Sequence, residues 1–103
     1  MSTITFDATA RWGRSAKVGL RPEPFGALAY HFDTRRLVFL KSTKLVDLVD
    51  GLADHESADA AIEAIIEPGD DRARQAHVKA LASLADAGVI EPAAPAPPIG
   101  FVG

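Results

Sequence analysis

Chemistry needs particular side chains at particular spacings, and this chain offers few. Its three histidines, His31, His55 and His77, lie far apart on strand-like, loop-like and helix-like segments, so there is no HExxH spacing or other two-histidine helical pair to seed a zinc site. The absence of cysteine removes thiolate zinc, iron–sulfur clusters, disulfide frameworks and a cysteine nucleophile together. Asp47, Asp50 and Glu63 fall on the polar faces of predicted helices, where water solvates them, whereas general acid–base work requires burial. No GxGxxG or GxxxxGK[ST] phosphate loop is present, and the glycines are scattered as turn and cap residues. The expectation is a non-enzyme with no catalytic residue, no metal and no cofactor.

What remains is the chemistry of the backbone. Arg36, Leu37, Val38, Phe39, Leu40 and Lys41 form a short apolar strand bordered by cations, the last strand before the helical half. An edge strand carries unpaired amides and carbonyls that can accept another chain, with main-chain bonds for affinity and alternate side-chain pockets for selectivity. The same pattern also suits an edge shielded by the protein's own elements, and the strand alone leaves both open.

The elements that must position this strand can be read from period and punctuation. Residues 1–15 show no sustained period beyond the brief alternation Thr3-Ile4-Thr5-Phe6, and with Trp12 as their large anchor they are expected to form a loosely docked arm. Val18 and Leu20 alternate into a short strand that Pro22 and Pro24 should end, since neither has an amide hydrogen. Phe25 to Phe32 and Arg36 to Leu40, joined by the polar turn Asp33-Thr34-Arg35, read as a hairpin. The second arm is almost continuously apolar, which predicts cover on both faces, or on one face and an edge.

Helices follow. Ser42 or Thr43 caps the first, with Leu45, Leu48, Val49 and Leu52 on one face. Ser57 caps the second, whose stripe is Ala61, Ile62, Ile65 and Ile66 before Pro68-Gly69. Asp70 or Asp71 opens the third and longest, burying Val78, Leu81, Leu84 and Ala85 and ending where Gly88 supplies a left-handed cap, after which Val89 and Ile90 pack back. The order predicts an α+β domain, winged helix-turn-helix-like, with a three-stranded antiparallel sheet followed by three helices. The expected division is an arm over 1–15, the domain over 16–91 and a proline-rich tail over 92–103.

Size and charge narrow the class. A chain of 103 residues, 48% hydrophobic and 24% charged, folds as one domain too small for a deep catalytic cavity. No apolar run approaches the roughly 20 residues needed to span a bilayer, and no secretion signal opens the chain, so a cytoplasmic, non-membrane protein is expected. The net charge of −3 conceals a split: seven Lys or Arg against three acids up to Lys41, then four against eleven.

The block Val18-Gly19-Leu20-Arg21-Pro22-Glu23-Pro24-Phe25-Gly26-Ala27-Leu28-Ala29-Tyr30-His31-Phe32, with Thr34-Arg35-Arg36-Leu37 and Phe39-Leu40-Lys41-Ser42, resembles the mycofactocin peptide chaperones. These belong to the PqqD-like family of precursor-peptide recognition domains, the RiPP recognition elements. The similarity runs more weakly to Val89-Ile90-Glu91. It implies that the third sheet strand pairs with the leader of a short ribosomal precursor peptide, in a groove closed by the third helix, and that the domain presents the peptide to a radical S-adenosylmethionine (SAM) maturase. Carried onto this chain, the strand side is Arg36 to Lys41 and the helix side comes from Arg74, His77, Val78 and Leu81. The maturase's own cluster has no place here, for the chain lacks cysteine.

Two rivals stand beside peptide capture. A winged-helix nucleic-acid binder would use Arg72, Arg74, His77 and Lys79, against an acidic balance and an Asp70-Asp71 pair at the start of that helix. A self-associating module would use the same strand edge to form a homodimer.

Overall fold

The computed structural model of the protein describes residues 6–93. The alternation that begins at Thr3 and the tail from residue 94 onward lie largely or wholly outside them. The described part is α+β, with a three-stranded antiparallel sheet ahead of the helices. Strands β2 (Val18–Glu23), β3 (Gly26–His31) and β4 (Leu37–Leu40) lie in that spatial order. Helices α1 (Thr43–Gly51), α2 (Ala58–Glu63) and α3 (Asp71–Asp86) follow, with one 3₁₀ turn at Leu52–Asp54 after α1.

The helix starts are chemical. Ser42, Ser57 and Asp70 each accept a backbone amide three residues on, from Leu45, Ala60 and Ala73 at 2.9, 3.0 and 3.1 Å. Gly88, at φ +80, turns the chain out of the last helix in the left-handed conformation that glycine adopts without strain. Val49, Leu52, Ile62, Leu81, Val89 and Ile90 are fully enclosed, so the predicted stripes meet in one core against Ala27, Ala29 and Leu40 of the sheet.

The expectation of a loose arm is corrected. Trp12–Arg14 forms strand β1, antiparallel to β5 (Ile90–Pro92), in a second, two-stranded sheet. Trp12 is 1% exposed, its ring 5.0 Å from Phe6 and its indole N–H donating to the Asp7 carbonyl. The carbonyls of Ala10 and Ala8 accept the amides of Ala58 and Asp59, first-turn donors of α2 that have no partner inside the helix. Burial of the indole and these bonds hold the segment in place.

The first sheet strand also runs further than its prolines suggest: β2 continues through Pro22 to Glu23. Phe32 N donates to Lys17 O, which makes 17 and 32 a hydrogen-bonded pair; by strict alternation Pro22 and Ala27 form a non-bonded pair. The missing amide hydrogen of Pro22 therefore faces the outer border of the sheet, where no ladder bond is lost.

Candidate functional site

The border opposite β2 is β4, and its phase follows from the turn before it. The turn is fixed by His31, whose Nδ1 accepts the amides of Asp33 and Thr34 at 3.2 Å each, and by Arg35 in the left-handed region at φ 61. A Lys17–Asp33 ion pair at 2.6 Å ties it to the start of β2; that hydrogen bond and charge hold the Asp33 carboxyl below the usual carboxylate range and Lys17 above its own. His31 N then donates to Arg36 O, so with the register Tyr30↔Leu37, Ala29↔Val38, Leu28↔Phe39 and Ala27↔Leu40, the residues bonded to β3 are Arg36, Val38 and Leu40. The amides and carbonyls of Leu37 and Phe39 point the other way. No strand pairs with that side among the described residues.

Side chains alternate across the same strand. Val38 is half-buried and Leu40 fully enclosed on the helix side, while Leu37 and Phe39, 54% and 58% exposed, stand on the opposite face. Of the two arrangements predicted for this apolar strand, one covered face and one covered edge is the one found, the face toward the helices and the edge toward β3. The outer face continues with Leu28 and Tyr30 of β3, with Phe25 and Phe32 flanking that strand. Phe25 meets Phe39 edge-on at 5.8 Å, Tyr30 meets Phe32 likewise at 5.8 Å, and Phe25, Phe39 and Lys41 line a shallow hollow of about 420 Å³. Lys41 borders this surface, Arg36 falls by the same alternation on the side of Val38 and Leu40, and Arg35, Arg36 and Lys41 have no carboxylate partner among the described residues.

The six strand residues named from the sequence are thus contiguous, with Leu40 turned into the core. The four on α3 are placed differently. Leu81 is 0% exposed and serves the core. Arg74 pairs with Asp59 at 2.9 Å and with Glu63, both on α2. His77 sets its Nδ1 2.8 Å from the Ala73 carbonyl, and Val78 is packed partly against the core. The principal neighbours of α3 are α2 and β5, whereas α1 packs against β3 and β4. The ion pairs of Arg74 also take the central cation from the set that a nucleic-acid reading requires.

The aromatic outer face escaped the sequence reading, although a signal existed. In Ala27-Leu28-Ala29-Tyr30 the small residues take the buried positions and the large ones the more open positions, Leu28 half-buried and Tyr30 exposed, an inversion of the usual strand alternation. No group of three or more His, Asp or Glu side chains able to hold a metal occurs among the described residues, and no helix among them is long and apolar enough to cross a membrane.

An open sheet border with apolar side chains beside it and cations at its ends is a feature able to accept another polypeptide, and it marks the chain as a small module without catalytic machinery among the described residues. The sequence profile of the peptide chaperone MftB family matches residues 11–91, and the chain belongs to that family. It is 44% identical over 92 residues to the peptide chaperone MftB of Mycolicibacterium smegmatis, covering 89% of this chain and 88% of the relative. The MftB proteins of Mycobacterium ulcerans and Mycobacterium tuberculosis are 41% and 38% identical over 87 residues, covering 84% of this chain and 78% of each relative. No solved structure gives a significant match. Membership of a family of peptide chaperones makes this a non-catalytic protein.

Proposed function

We propose that this protein is a PqqD-like recognition element that binds the leader of a short ribosomal precursor peptide, of the mycofactocin precursor class, by strand addition to β4 and presents it to a radical SAM maturase. The observation that carries the reading is the unpaired border of β4, whose outward donors and acceptors belong to Leu37 and Phe39, in a chain of the peptide chaperone family. Arg36 and Lys41 flank the ladder, Val38 and Leu40 anchor the strand to the core, and His77 and Val78, which keep partial exposure, supply the helix side of the groove. The binding region contributes capture and register, and the reaction belongs to the maturase.

The test separates backbone from side chain. Leu37→Pro deletes an outward amide that forms no bond to β3, whereas Leu37→Ala deletes only the side chain. In calorimetric titrations of a leader peptide, with and without maturase, the proline variant should bind at least about tenfold more weakly than the alanine variant, the equivalent of one net hydrogen bond of about 1.4 kcal/mol. Equal affinities in two folded variants would remove strand addition at this border.

A further inference from the structure

We infer that the outer face of the sheet is a second reading surface for the captured peptide: Phe25, Leu28, Tyr30, Phe32, Leu37 and Phe39 select apolar side chains at alternate peptide positions, and Lys41 selects an acidic residue flanking them. This rests on the strand-addition reading and goes beyond it, since a main-chain ladder alone carries no sequence preference.

The register forces the connection. Leu37 and Phe39 supply the outward backbone groups and also project their side chains onto the aromatic face. In an antiparallel pairing, residues directly opposite one another share a face, so the peptide residues bonded to Leu37 and Phe39 extend over that face. There they meet Phe39 and, edge-on behind it, Phe25, with the 420 Å³ hollow beside Lys41 open to receive a side chain. Phe25, Phe32, Leu37 and Phe39 are 43%, 57%, 54% and 58% exposed, and Tyr30 adds 36%; a contiguous apolar surface of this kind marks a contact site rather than scattered exposure.

Charge decides between occupants. The acids near this face are already engaged, Glu23 with Arg21 and Asp33 with Lys17, which leaves Lys41 uncompensated beside the hollow. A second copy laid face to face would offer Lys41 only acids that are already paired. Residues 94–103 contain apolar side chains but no acidic one to answer Lys41. An extended peptide with Asp or Glu around alternating apolar residues satisfies both the centre and the border.

The experiment titrates full-length protein with the leader peptide and with a version in which its acids are replaced by amides. Phe25→Ala and Phe39→Ala, both on exposed side chains, should each weaken binding about tenfold, and replacing the peptide's acids by amides should weaken binding to wild type but not to Lys41→Gln. Phe25 lies off the border, so loss at this position cannot be ascribed to the ladder. Full affinity in Phe25→Ala and Phe39→Ala, with Leu37→Pro still defective, would overturn the shelf and leave strand addition standing; indifference to all three would remove both. A dimer in sedimentation that Phe39→Ala dissociates, or tighter peptide binding by Phe101→Asp, would assign the face to a second copy or to the tail and overturn the inference.

Discussion

At the scale of single residues, the open border depends on atoms that never touch a ligand. Gly26 has φ +150, and a Cβ there would strike the Leu40 carbonyl oxygen and lie 2.9 Å from the Ser42 amide nitrogen, where β4 hands over to α1. Gly26→Ala should therefore destabilise the protein by about 1–3 kcal/mol in urea unfolding. Gly51→Ala is the control: nothing lies within 4 Å of its would-be Cβ at the end of α1, so the change should be neutral or stabilising by up to about 1 kcal/mol. The hairpin and its polar turn were legible in Asp33-Thr34-Arg35. The imidazole that accepts two of the turn's amides was not, because a strand histidine has the same sequence signature whether or not its ring folds back.

At the scale of elements, capped and periodic segments were the readable ones. All three helix caps, the stripes of α1 and α3 and the glycine exit at Gly88 stand where hydrogen-bond chemistry and a 3.6-residue period put them. The β1–β5 ribbon was hidden for a physical reason: strands of three residues are too short to show a period, and each finds its partner more than seventy positions away. Its weight shows in Trp12. Trp12→Ala should cost about 3–5 kcal/mol, read as a lower urea midpoint, and should loosen the start of α2, whose first amides the same segment satisfies. A variant as stable as wild type would mean that the ribbon is ornamental. Pro22 misled for a complementary reason, since a proline stops a ladder only where its nitrogen faces a partner.

For the whole molecule, the charge split acquires a place. The basic half of the sequence is the sheet half, and Arg36 and Lys41 stand at the two ends of the border where a peptide is proposed to land, while the acids are concentrated in the helical half. Raising ionic strength from about 0.01 to 0.15 M shortens the Debye length from ~30 to ~8 Å. Association with an acidic leader should slow by about tenfold, with a smaller change in dissociation; a rate indifferent to salt would remove electrostatic steering. The two margins of the sheet are also unlike, and this bears on solubility. A vacant β margin is a standing invitation to fibre growth, each molecule offering its vacancy to the next. Such growth would have to seat β4 of one molecule on β2 of its neighbour, and β2 presents a gap where Pro22 has no hydrogen to give. The domain can stay receptive on one flank and resist polymerising through the other.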